Sequence, residues 1–60
     1  MKFVQMHILD VFHSLACRAV LTARNGRPVW EGPEFPRDRR DDAREMARIA
    51  ARERGWTIRN

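Results

Sequence analysis

The segment covering residues 38–56 constrains the fold most, because it carries signals for the start, the buried face and the end of one helix. Asp38 is a suitable N-cap residue, since its short side chain can accept a hydrogen bond from a free backbone N–H, and Asp41 stands where a capping box places an acid. At the other end, Gly55 can adopt the left-handed conformation that ends many helices. These signals predict a C-terminal helix over about residues 38–54.

The predicted helix has an apolar face and a basic face. At about 100° per residue, one arc collects the residues expected to be buried, which are Ala43, Met46, Ala47, Ile49 and Ala50. The opposite arc carries an arginine column at spacings of four, which consists of Arg40, Arg44, Arg48 and Arg52. Asp41 and Glu45 stand three residues before Arg44 and Arg48, so we expect ion pairs that weaken the column as an anion site. Two interpretations remain open, a solvated face and a face that binds phosphate or an acidic partner.

A second segment with clear secondary-structure signals surrounds the dipeptide Asn25-Gly26. Apolar and β-branched runs flank it, and Asn-Gly indicates a hairpin with a type I′ turn because both residues tolerate positive φ. Pro28 cannot donate to a strand ladder, so the returning strand is expected to begin there or to lie at an edge. Arg24 and Arg27 then flank the hairpin tip as a second basic cluster.

The large aromatic rings are expected to form most of the core of so small a domain, and they are Phe3, Phe12, Trp30, Phe35 and Trp56. Hairpin alternation places Trp30 opposite Leu21. Trp30 is therefore either a core residue or an exposed platform on which a base can stack.

The first fifteen residues fit two patterns. A strand places Val4, Met6 and Ile8 on one face, whereas a helix collects a stripe of Val4, Ile8, Val11, Phe12 and Leu15. The β-branched residues, and the need of a hairpin for a third strand, favour the strand. The expected fold is α+β. It consists of a three-stranded antiparallel sheet, with or without a short fourth strand at residues 56–59, packed on the C-terminal helix in a single domain over residues 1–60.

Length and charge narrow the functions that this chain can perform. A chain of 60 residues buries only about 60% of the surface that its unfolded form exposes, so catalytic clefts are difficult to build. The net charge of +4 favours anionic partners. Lys2 is the only lysine among twelve basic residues. This arginine excess fits bidentate phosphate recognition and equally fits a codon-usage bias.

Few residues of the sequence are suited to disulfide formation, metal binding or catalysis. Cys17 is the only cysteine, which fits a reducing compartment, and the polar segment after Met1 is unlike a signal peptide, so we expect a cytoplasmic protein without membrane contact. His7, His13 and Cys17 are too few for a tetrahedral zinc site. His13 next to Ser14 is not a catalytic dyad, because adjacent side chains diverge on a strand. We therefore expect no catalytic residues, no metal and no cofactor.

Three segments of the C-terminal half stand out together, namely the segment from Trp30 to Phe35, Ala43-Arg-Glu-Met-Ala-Arg-Ile-Ala and Gly55-Trp-Thr-Ile. Through them, residues 27–60 resemble short uncharacterised bacterial α+β domains. The resemblance implies a hairpin, one helix and a terminal strand, and it brings no established activity.

The leading hypothesis is a small, non-enzymatic basic binding module that contacts nucleic acid or an acidic protein surface. Its binding residues are predicted to be Arg40, Arg44, Arg48 and Arg52, helped by Arg24, Arg27, Arg37 and Arg39. The alternative hypothesis is a protein-interaction factor. It is either a phage- or mobile-element-encoded inhibitor of a host protein or a homodimer that pairs exposed edge strands.

Overall fold

A computed structural model describes residues 2–11 and 13–60 and shows a β-sheet with one helix on one of its faces. The elements are β1 (Lys2–Asp10), β2 (Ala16–Thr22), β3 (Pro28–Glu31), β4 (Phe35–Pro36), α1 (Arg40–Arg54) and β5 (Trp56–Ile58). A 3₁₀ turn, Arg37–Arg39, precedes α1. The predicted α+β class is confirmed.

Over the described parts of the chain the sheet has five strands and is mixed, so the predicted three-stranded antiparallel sheet is wrong in its detail. Its order is β3-β2-β1-β5, and β4 also pairs with β2. β1 and β2 are antiparallel, whereas β5 is parallel to β1. The short terminal strand foreseen at residues 56–59 does form. Because the chain crosses the sheet through α1 before β5 begins, β5 can run parallel to β1.

The strand interpretation of the N-terminal segment is confirmed, and the helix alternative is wrong. Val4 is buried, and Met6 and Ile8 pack against the same core. Met6 lies opposite Leu21 in β2, which places both side chains on the face that α1 covers. Phe12, which belonged to the alternative helical stripe, lies outside the described residues.

The predicted hairpin forms between β2 and β3, but its turn is not type I′. Gly26 has a φ of 85°, whereas Asn25 has no positive φ. The N–H of Gly26 donates to the carbonyl oxygen of Ala23 at 2.9 Å, and the Asn25 side chain accepts from the N–H of Arg27 at 2.9 Å. A tight turn followed by one left-handed glycine also suits a hairpin. Pro28 begins the returning edge strand, as predicted.

The start of α1 differs from the prediction. The helix begins at Arg40 after the 3₁₀ turn, and its N-cap residue Arg39 makes no side-chain capping hydrogen bond. The expected Asp38 cap and its capping box are therefore wrong. Asp41 instead forms an ion pair with Arg44 at 3.1 Å.

The end of α1 is as predicted. Arg54 is its last residue, and Gly55 follows with a φ of 73° in the left-handed region. The N–H of Gly55 donates to the carbonyl oxygen of Arg52 at 3.1 Å. Glycine suits this position because it reaches positive φ without a steric penalty.

The buried face of α1 consists of alanines, namely Ala43, Ala47, Ala50 and Ala51. The predicted burial of Met46 and Ile49 is wrong, since they are 37% and 40% exposed. Small side chains let the helix backbone lie close to the sheet, and the contact then centres on the alanines and leaves the longer side chains on a flank. Trp30 packs against the core opposite Leu21, which supports its core interpretation.

Candidate anion-binding groove

The arginine column lines one wall of an open groove between α1 and the β1–β5 side of the sheet. The groove has a volume of about 850 Å³, and Met6, Ile8 and Ile58 contribute its apolar surface. All four members of the column line it, namely Arg40, Arg44, Arg48 and Arg52. The column drifts about 40° around the helix axis at each step of four residues. Consequently Arg40 and Arg44 are half-buried, whereas Arg48 and Arg52 are exposed.

The first half of the column is paired with carboxylates. Arg40 Nη2 donates to Asp10 Oδ1 at 3.0 Å, and Arg44 Nη1 donates to Asp41 Oδ1 at 3.1 Å. The Asp41 side chain is 98% exposed, so water competes strongly for this second pair. Both contacts are surface ion pairs of the kind that contributes little stability and gives way to a competing anion.

The second half of the column has no carboxylate partner within the described residues. Arg48 and Arg52 form no ion pair with any residue of 2–11 or 13–60. The predicted pair between Glu45 and Arg48 is therefore wrong, although the analogous pair between Asp41 and Arg44 is confirmed. Two guanidinium groups on the groove wall thus keep their donors available to an external anion.

The other four predicted arginines do not join the column. Arg37 and Arg39 lie in the 3₁₀ turn, where Arg37 Nε is 3.7 Å from Asp10 Oδ1 and Arg39 Nε is 2.6 Å from Asp42 Oδ2. Arg24 and Arg27 lie in the loop between β2 and β3 and are exposed. The eight predicted binding residues are consequently divided among the groove, the 3₁₀ turn and the hairpin.

The side chain of Asn60 extends the β1–β5 pairing beside the groove. Its Oδ1 accepts from the N–H of Met6 at 3.0 Å, and its Nδ2 donates to the carbonyl oxygen of Met6 at 2.6 Å. The N–H of Arg59 donates to the carbonyl oxygen of Val4 at 2.9 Å. The amide therefore continues the parallel ladder beyond β5, a role that no local pattern in the sequence indicates.

Sequence reasoning also missed a cluster of cations around Trp56. Lys2 Nζ lies 5.0 Å from the ring centroid, and Arg54 Cζ lies 5.7 Å from it. Both are within the range of cation–π attraction. Lys2 reaches this ring because the parallel register places Lys2 opposite Trp56. The contact between them could therefore be predicted only from that strand pairing.

Two further polar contacts within the described residues lie outside the groove. His7 Nε2 is 2.9 Å from Thr22 Oγ1, and the buried Cys17 Sγ is 3.7 Å from the carbonyl oxygen of Pro36. No three or more histidine, cysteine or acidic side chains cluster as metal ligands in the part of the chain that the structure describes. Within the same residues, no helix has the length and apolarity that a membrane span requires.

Fold and site together define a small α+β domain with an arginine-lined groove. Comparison with protein families, curated proteins and solved structures finds no match to this chain. The similarity of residues 27–60 to short bacterial α+β domains therefore stays a prediction from the sequence.

Proposed function

We propose that the protein is a non-enzymatic binding module whose arginine-lined groove binds the phosphate backbone of a nucleic acid. The observation that carries this proposal is the exposure of Arg48 and Arg52 without a carboxylate partner among the described residues. Guanidinium groups match the geometry of phosphate oxygens and form charge-assisted hydrogen bonds with them. The net charge of +4 adds a general attraction for polyanions.

The length of the column supports a polymeric ligand. Arg52 follows Arg40 by twelve positions, and a rise of 1.5 Å per residue gives a row of about 18 Å. This length corresponds to about five phosphates along one strand of a duplex. A regular row of cations suits a polymer with regularly spaced anions better than it suits a single small anion.

A salt titration tests the proposal. Binding of a labelled DNA duplex is measured by fluorescence anisotropy between about 50 and 200 mM salt, where each phosphate contact contributes about −0.9 to the slope of log affinity against log salt. The double variant Arg44→Ala, Arg48→Ala should reduce the magnitude of that slope by about 1.8. The matched control is Arg27→Ala, Arg39→Ala, which removes the same charge outside the groove and should leave the slope nearly unchanged.

Two results would contradict the proposal. One is the absence of binding to either a duplex or a single strand at low salt. The other is an equal loss of slope in both double variants, because diffuse attraction would then account for the binding. Tighter binding of an acidic peptide than of DNA with the same charge would assign the groove to an acidic protein partner instead.

A second candidate function, self-association through strand pairing, is supported by the edge of β1. β5 pairs with residues 2–4 of β1, and Asn60 covers Met6. Among the described residues, no strand covers that edge of β1 over residues 7–10. Uncovered strand edges are sites of pairing with another chain. Sedimentation velocity at several concentrations tests this candidate, and a monomer at every concentration would exclude it.

A further inference from the structure

The sheet face that points away from α1 carries a second recess, separate from the groove. Val4 is buried under α1, so strand alternation directs its neighbours Phe3 and Gln5 to the opposite face. The recess has a volume of about 490 Å³, and its side-chain lining includes Phe3, Gln5, Arg24 and Arg59. This volume lies within the range of small-molecule sites. None of these four residues lines the arginine groove.

Phe3 and Arg59 form a stacked platform in this recess. The Phe3 side chain is 45% exposed, and Arg59 Cζ lies 4.8 Å from its ring centroid. Phe3 lies opposite Thr57, and the N–H of Arg59 donates to the carbonyl oxygen of Val4 at 2.9 Å. The backbone of both platform residues is thus held in the β1–β5 ladder.

Among the residues that the structure describes, no carboxylate neutralises the cations of the recess, in contrast to another arginine of the sheet. Arg18 Nη2 donates to Glu34 Oε2 at 2.9 Å, and Arg18 Nη1 lies 3.9 Å from Glu31 Oε1. Arg24 and Arg59 have no carboxylate partner in residues 2–11 and 13–60. The recess therefore combines an exposed aromatic ring with two guanidinium groups that have no acidic partner among the described residues.

We propose that this recess binds one nucleotide unit of a single-stranded nucleic acid. The base stacks on the platform of Phe3 and Arg59, because unpaired bases stack on aromatic rings and on guanidinium planes. Arg24 binds the adjoining phosphate. The amide of Gln5 supplies both a donor and an acceptor to the edge of the base. Phosphate alone would need no aromatic ring, so the ring distinguishes this ligand from a simple anion.

The test separates recognition of the base from attraction of charge. Binding of a short labelled single strand to the full chain is compared with binding of an abasic strand that carries the same number of phosphates. We expect the native protein to prefer the strand with bases by about tenfold, which corresponds to stacking of one base. Phe3→Ala and Phe3→Leu should both abolish that preference, since leucine keeps apolar volume without a π face.

Two further variants complete the design. Arg24→Ala should weaken binding of the normal strand and of the abasic strand equally, so the preference for the strand with bases should be unchanged. The double variant Arg44→Ala, Arg48→Ala, whose changes lie in the groove, should also keep the preference for the strand with bases unchanged. The preference thus tests the recess even if the groove proposal fails. Far-UV circular dichroism checks that each variant is folded, and Phe3→Leu carries the test if Phe3→Ala unfolds.

The proposal is overturned if the native protein binds abasic and normal strands equally. It is also overturned if the preference for bases survives in Phe3→Leu. Displacement of the strand from the Arg44→Ala, Arg48→Ala variant by an acidic peptide of equal charge at equal concentration would show that the recess attracts any anion, which likewise excludes a nucleotide site.

Discussion

Replacement of Asn60 by alanine tests how its side-chain amide extends the pairing of β1 and β5 beside the groove. The side-chain amide makes two hydrogen bonds with the backbone of Met6, at 3.0 Å and 2.6 Å. Each such bond contributes about 0.5–1.5 kcal/mol net, and both are exposed, so water replaces part of the loss. We expect Asn60→Ala to lower the free energy of unfolding by about 1–2 kcal/mol. In a domain of this size, each kcal/mol lowers Tm by about 4–8 °C.

The assay combines thermal and urea unfolding with hydrogen exchange of the Met6 amide. Asn60→Asp is the matched variant, because its carboxylate still accepts from the N–H of Met6 but cannot donate to the carbonyl oxygen. Its stability should lie between those of the native protein and Asn60→Ala, and Met6 exchange should accelerate in the same order. A Tm of Asn60→Ala within about 1 °C of the native value, with unchanged Met6 exchange, would refute this account of the ladder.

Three further predictions follow from particular contacts. Asp10→Asn removes the carboxylate that pairs with Arg40 at 3.0 Å, so it should tighten nucleic-acid binding and steepen its salt dependence, and unchanged affinity in a salt titration would contradict this. Gly55→Ala should lower the free energy of unfolding in urea by about 1–2 kcal/mol, because the residue has a φ of 73°, and a neutral result would contradict the left-handed cap. The double variant Met46→Gln, Ile49→Gln should cost about 2–3 kcal/mol in urea unfolding, since the residues are 37% and 40% exposed. A loss above about 4 kcal/mol would show that both side chains are fully buried.

Local signals were reliable for the position of elements and weaker for their detailed geometry. Gly55 ended the helix as expected, because glycine reaches the left-handed conformation of this cap without a steric penalty. Asn25-Gly26 marked the hairpin but not its turn type, since an asparagine side chain stabilises more than one tight turn. Asp38 has the chemistry of a cap, yet the 3₁₀ turn moved the start of the helix past it.

The candidate groove was predictable only in part. Spacing alone placed Arg40 and Arg48 in one column, and the structure shows that column along one wall of the groove. The partner of Arg40 is Asp10, which is 30 residues away in the sequence, so helical periodicity could not reveal that this arginine is paired. Phe3 and Arg59 meet across the β1–β5 pairing, which likewise depends on the register of distant segments.

The sequence by itself determined the C-terminal helix, the hairpin and the spacing of the arginines, because each depends on residues close together in the chain. For β1 it only favoured a strand over a helix. Only the tertiary structure decided that β5 runs parallel to β1, that the arginine column faces a groove and that Arg48 and Arg52 have no acidic partner in the described residues. These features depend on contacts between segments far apart in the chain. Such contacts are selected by packing of the whole domain, and no local pattern of residues encodes them.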